Sequence, residues 1–203
     1  MFITFEGIDH CGKSTQVKLL ENYFINEKGL DVINIREPGG TGISEKIRTI
    51  LLDKKISDMK IETEILLFSA SRAQLVREVI KPGLEQGKVV ISDRFHDSTT
   101  AYQGYGRGIP LEYINTINSF AIAGCVPDIT FIIDIDLETA EERKKSKNSV
   151  PDRMEIAGRE FFERVRNGYR EIARTHKRFV LIDGKDEIGI IKNRIIEEVK
   201  KRF

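Results

Sequence analysis

Cysteine is scarce in this 203-residue chain: there are two, Cys11 and Cys125, and they form neither a paired zinc spacing nor a disulfide framework. A disulfide-stapled secreted scaffold is thereby excluded, and a reducing cytoplasmic setting is expected. Charge of one sign is also missing, since 33 Lys+Arg stand against 32 Asp+Glu for a formal net charge of +1. Without a global attraction for polyanions, nucleic acid is not an expected partner, although a local basic cluster could hold a small phosphorylated ligand. No apolar run reaches membrane-spanning length, so no membrane partner is expected. The start, Met1-Phe2-Ile3-Thr4-Phe5-Glu6, has no basic segment before its first acid and does not read as a signal peptide. Internal repeats and low-complexity linkers are absent too.

What is present is a globular composition, 40% hydrophobic and 32% charged, in a length suited to one domain spanning 1–203. Short β-branched or aromatic runs alternate with long helical patterns, which predicts an α/β fold with a five-stranded parallel sheet flanked by helices. The strands are expected near Phe2–Phe5, Asp31–Ile35, Lys88–Ser92, Ile129–Ile133 and Phe179–Ile182. Helices are expected near Lys13–Lys28, Ile43–Asp53, Glu62–Gln86, Leu111–Ala123, Leu137–Lys145, Ile156–His176 and Glu187–Lys201. Right-handed crossovers would gather the loops after the first strands along one sheet edge, where open α/β sheets bind ligands.

Gly7-Ile8-Asp9-His10-Cys11-Gly12-Lys13-Ser14 fits Gly-x-x-x-x-Gly-Lys-Ser/Thr directly after a predicted strand and before a predicted helix. Such a loop wraps a triphosphate in backbone amides, its lysine reaches the outer phosphates, and its serine can bind Mg²⁺. ATP, with Mg²⁺ as cofactor, is the expected ligand, and Thr15 extends the binding segment. The Asn-Lys-x-Asp guanine signature is missing, which disfavours a regulatory GTPase. A second carboxylate should close a buried strand; Asp93, ending Val89-Val90-Ile91-Ser92-Asp93, is the metal candidate with Ser14, and Asp134 is the rival.

Five blocks then occur in one order and spacing: Phe5-Glu6-Gly7-Ile8-Asp9, Arg36-Glu37-Pro38-Gly39-Gly40-Thr41, Leu67-Phe68-Ser69-Ala70-Ser71-Arg72, Asp93-Arg94-Phe95 and Ser98-Thr99-Thr100-Ala101-Tyr102-Gln103-Gly104. From the first strand to about Asp183 the chain resembles the bacterial thymidylate kinases. The resemblance implies a P-loop nucleoside monophosphate kinase that moves the γ-phosphoryl of ATP onto dTMP, and a homodimer. It places Asp9 at the sugar 3′-hydroxyl, Phe68 on the thymine face, Arg72 at a thymine carbonyl, and Thr99 with Gln103 at the base edge. It makes Arg48 and Arg94 the clamps on the acceptor phosphate and sets Tyr102 near the sugar 2′ position. It also makes Glu37-Pro38 a cis turn, with Pro38 walling the base pocket.

Elementary chemistry agrees: a planar base needs an aromatic face and a few placed polar groups, and phosphate suits a guanidinium fork. Taken singly, Phe68 would be core, and Arg48 or Arg72 a solvated helix charge. A monophosphate acceptor is already ionised near neutral pH, its second pKa being about 6, so it needs no general base. A thymidine kinase would need one, with Glu37 as its candidate. A dUMP kinase and a non-catalytic nucleotide-binding module also stay open at this point.

Arg143-Lys144-Lys145-Ser146-Lys147-Asn148-Ser149-Val150-Pro151-Asp152-Arg153 carries five basic residues and one acid between two helices and resembles the family's lid. Read alone, such a run is a solvated face. The expected catalytic set is Lys13, Asp9, Arg94 and Arg153, with Arg143 as an adenine-side contact. Relatives usually have small residues where this chain has His10 and Cys11. A protonated His10 could supplement the lid or be a tolerated surface residue. Cys11, beside Lys13 at a helix amino end, is expected to be alkylated unless Mg-ATP protects it. Bulk at either position could hamper phosphate binding. Cys125, His96 and His176 read as structural.

Overall fold

In a computed structural model describing residues 1–147 and 152–202, the strands are β1 (Phe2–Glu6), β2 (Val32–Arg36), β3 (Val89–Asp93), β4 (Ile129–Asp134) and β5 (Phe179–Asp183). All pair in parallel, in the order β2-β3-β1-β4-β5. Each lies within one residue of its expected bounds. The central strands β3, β1 and β4 are buried along nearly their whole length, which is why they read as unbroken apolar runs. The edge strands β2 and β5 are half exposed.

Nine helices are described: α1 (Lys13–Asn22), α2 (Gly42–Leu52), α3 (Ile61–Leu75), α4 (Lys81–Glu85), α5 (His96–Thr99), α6 (Leu111–Ile122), α7 (Leu137–Lys147), α8 (Arg159–Ala173) and α9 (Ile188–Lys200). Ile3, Phe5 and Ile91 pack with Val17 and Leu20 of α1 and Ile191 and Ile195 of α9. Their alternates Phe2 and Val90 pack with Leu75, Val76, Ile80 and Ile122.

The long helix expected over Glu62–Gln86 is instead α3 and α4 joined by a π-helical turn, Val76–Ile80. Pro82 supplies the reason, because its ring cannot donate and clashes with the carbonyl one turn back, so the helix widens just before it. The expected helix over Ile156–His176 starts only at Arg159, because Asp152 Oδ1 accepts from the Met154 and Glu155 amides (2.8 and 2.9 Å) and holds a turn there. Residues 96–106, for which the sequence pattern predicts no element, form α5 and a π-helical segment, Thr100–Gly106. The middle of the expected lid, Asn148 to Pro151, lies outside the described residues.

Candidate active site

The loop Gly7 to Gly12 leaves the carboxyl end of β1 and enters α1 at Lys13. Gly7 (φ 135°) and Gly12 (φ 105°) adopt backbone that side chains rarely tolerate. A Cβ on Gly7 would also overlap the Ile133 carbonyl oxygen and meet Cys11 Sγ at 2.9 Å. Gly7→Ala is therefore expected to cost about 2–3 kcal/mol and to lower Tm by about 5–10 °C, at roughly 2–4 °C per kcal/mol. A circular-dichroism melt that superposes on that of the unmodified chain would refute this. Inside the loop Lys13, 6% exposed, donates from Nζ to the Gly7 and Ile8 carbonyls (3.1 and 2.9 Å).

Ser14 Oγ donates to Asp93 Oδ2 at 2.6 Å, joining the start of α1 to the end of β3 in a cleft of about 280 Å³. A hydroxyl and a carboxylate so placed are hard oxygen donors that suit Mg²⁺. No cluster of three or more His, Cys, Asp or Glu able to hold a metal occurs among the described residues. The pair therefore fits a magnesium ion that arrives with nucleotide phosphates and keeps most of its water.

Across the cleft stands Arg94, in left-handed backbone (φ 72°) directly after β3, with its amide on the Phe5 carbonyl at 2.9 Å. Its guanidinium donates to Asp9 Oδ1 (2.7 Å), the Tyr102 hydroxyl (3.1 Å), the Gly7 carbonyl (3.0 Å), Ser98 Oγ (3.2 Å) and the Tyr169 hydroxyl (3.2 Å). Glu6, fully buried, underpins the cluster: it accepts from the Phe95 amide (2.7 Å), Ser98 (2.6 Å) and Tyr169 (2.8 Å). Burial opposes ionisation of Asp9, but Arg94 and Lys13 outweigh it and hold the carboxyl down at about 2. Arg48 and Arg36 both donate to the Pro38 carbonyl (2.8 and 2.9 Å) and add positive charge to the same wall.

Farther in, Phe68, Pro38, Thr99 and Gln103 line the cleft beside Arg72, and the Glu37–Pro38 peptide is cis, as expected. Arg72 is 1% exposed and already committed, donating to Glu37 Oε2 (2.8 Å), Thr99 Oγ1 (2.9 Å), Asn118 Oδ1 (3.4 Å) and the Phe95 carbonyl (3.2 Å). Burial pushes Glu37 up to about 7 despite Arg72. Tyr102 packs edge-on against Phe161 and Tyr169 with its hydroxyl on Asp9 Oδ2 (3.2 Å).

Several expectations change. Arg153 does not line this cleft: it is 9% exposed, its guanidinium paired with Glu64 (2.7 Å) and donating to the Leu51 carbonyl (2.7 Å). A buried carboxylate demands a cation, and Glu64 takes this one. Cys11 is 1% exposed in the core, so the alkylation expected in the absence of Mg-ATP is withdrawn, and its side chain is taken up by core packing. His10 (φ 64°) is no surface residue: its side chain is 11% exposed, with Nε2 3.9 Å from Glu155, which Lys144 also approaches (3.0 Å). Asp134 is claimed by Arg166 and Arg170 (2.7 Å each) and is structural. Arg143 straps the phosphate loop to the end of β5, donating to the Cys11 and Gly184 carbonyls (3.3 and 2.9 Å). Glu6, Ser98, Tyr169 and Arg36 are site residues that sequence reasoning missed. Glu6, Arg36 and Ser98 stand in the blocks quoted above without an assigned role, Glu6 also as a charge inside an apolar strand next to the loop, whereas Tyr169 carried no signal.

The family model described as thymidylate kinase matches residues 5–195. The thymidylate kinase of Prosthecochloris aestuarii is 52% identical, covering 100% of this chain and 94% of the relative. That of Thermosipho africanus is 51% identical, covering 100% and 99%. The crystal structure of thymidylate kinase from Ehrlichia chaffeensis superposes with a TM-score of 0.80 at 39% identity, covering 98% of each chain. With these matches along its length and a phosphate loop facing an arginine-lined cleft, the chain belongs to the thymidylate kinase family.

Proposed function

We propose that the chain transfers the γ-phosphoryl group of Mg-ATP to dTMP, giving dTDP. The observation that carries this is the position of Arg94, which bonds the first carbonyl of the phosphate loop while facing the same cleft as Phe68 and Arg72. Donor and acceptor phosphates are thus held by parts of one hydrogen-bonded unit. Lys13 and the loop amides neutralise the donor phosphates, while Arg94, Arg48 and Arg36 hold the acceptor phosphate. Asp9, kept ionised, receives a sugar hydroxyl. When bound with ATP at Ser14 and Asp93, Mg²⁺ supplies charge neutralisation on the donor phosphate oxygens.

A hydroxyl acceptor is disfavoured by the same geometry. Asp9, its pKa held at about 2 against burial by Arg94 and Lys13, is a poor proton acceptor, and Glu37, though raised to about 7, is tied through Oε2 to Arg72, which lies with Phe68 and Thr99 at the base end. A monophosphate needs no such base. We place the enzyme in the cytoplasm, supported by two buried free cysteines; no described helix is long and apolar enough to cross a membrane. A homodimer is supported by exposed Leu66 on α3 and Tyr113 and Phe120 on α6, the last 78% exposed.

ADP release with Mg-ATP and dTMP, dUMP, dCMP, thymidine, AMP or no acceptor tests the reading. Turnover is expected with dTMP and not with thymidine or AMP; thymidine turnover would transfer the role of base to Glu37. Light scattering should give twice the chain mass, and a monomer at micromolar concentration would remove the dimer.

A further inference from the structure

Glu64, in the first turn of α3, is 1% exposed and accepts from three partners. Gln103 Nε2 donates to Oε1 at 2.9 Å, Arg107 donates to both oxygens at 3.2 Å, and Arg153 Nη1 lies 2.7 Å from Oε2. An ionised carboxylate only accepts, so the amide of Gln103 must turn its NH₂ toward Glu64. Its carbonyl Oε1 is then the end left for the cleft, where no described residue donates to it. The partner that carbonyl suits is a pyrimidine whose N3 carries a hydrogen, as in thymine. A cytosine would bring the N3 lone pair against the carbonyl lone pairs.

We propose that Glu64 is a positioning residue for base choice: by locking the Gln103 amide, it makes the cleft select pyrimidines that donate from N3 over those that accept there. The proposal rests on the reading of the cleft as the dTMP site. In Glu64→Gln, Arg107 and Arg153 claim the new amide's oxygen, its NH₂ faces Gln103, and Gln103 flips to present a donor.

The experiment compares kcat/KM for dTMP and dCMP in the unmodified enzyme, E64Q, Gln103→Ala and the double variant. The dTMP-over-dCMP ratio is expected to fall about 10- to 100-fold in E64Q, one buried hydrogen bond having changed sense. The double variant should match Gln103→Ala, because Glu64 acts on the ratio only through Gln103. An E64Q enzyme that loses activity on both nucleotides equally, or a double variant with additive loss, would overturn the proposal while dTMP turnover by the unmodified enzyme stands. Absence of that turnover would instead overturn the proposed function. Should E64Q fail to fold, ¹⁵N side-chain spectra of the unmodified protein decide. The Gln103 amide protons, assigned by their loss in Gln103→Ala, are expected to be protected from solvent exchange with and without dTMP, and rapid exchange in both states would overturn the lock.

Discussion

Arg94→Ala is expected to lower kcat/KM for dTMP by about 10²- to 10⁴-fold, the largest effect of any single substitution in the cleft. Removing one member of a fully buried charge pair costs about 3–5 kcal/mol, largely through the charge left behind, and this part-buried pair lies toward the lower end of that range. Here that charge is Asp9, whose low pKa of about 2 depends on Arg94 and Lys13. Without Arg94 the Asp9 pKa rises, Tyr102 and Tyr169 lose a common donor, and the acceptor phosphate loses its fork. Arg94→Lys separates these parts: it keeps a positive charge but not the fork whose Nη1 and Nη2 reach Gly7, Ser98, Tyr169, Asp9 and Tyr102. It should recover thermal stability more than activity. Steady-state kinetics beside a thermal melt checks this, and a lysine enzyme with full kcat/KM would reduce Arg94 to a point charge.

Lys13→Ala should lower kcat by about 10²- to 10³-fold, the size of effect seen when one preorganised donor to developing charge is removed. Nucleotide affinity should fall much less, because the loop amides and the amino end of α1 still face the phosphates. Single-turnover kinetics with separate ATP titration distinguishes the two. A variant that binds ATP as poorly as it turns over would make Lys13 a binding residue only. Lys13→Arg is not expected to rescue: the ammonium sits between the Gly7 and Ile8 carbonyls at 6% exposure, with no room for a planar fork.

The strands and the phosphate loop were legible because each rests on local pattern: unbroken apolar runs for buried parallel strands, and glycines where backbone must turn left-handed. The base-edge residues were legible as a block but not as structure. Thr100–Gly106 combines β-branched, aromatic and glycine residues with poor helix propensity, and packing against α8 and α6 winds it. Glu6 and Tyr169 meet across 163 positions of sequence, a contact no local pattern announces. The placement of Arg153 depended on Glu64, a first-turn acid that reads as an ordinary dipole partner until the fold buries it.

The sheet is also a ruler. Phe5 of β1 and Asp93 of β3 are register partners on adjacent strands, and the donor loop and Arg94 begin within two residues of that pair. Neighbouring strands stand about 4.8 Å apart. The spacing between the donor loop and the acceptor clamp is therefore set by backbone hydrogen bonds that no surface segment can stretch. One residue inserted into β3 would slide Arg94 by about 3.3 Å and turn it to the opposite face. Helices around this sheet can lengthen or shorten at little cost to the reaction, whereas the count of residues in β1 and β3 cannot change by one.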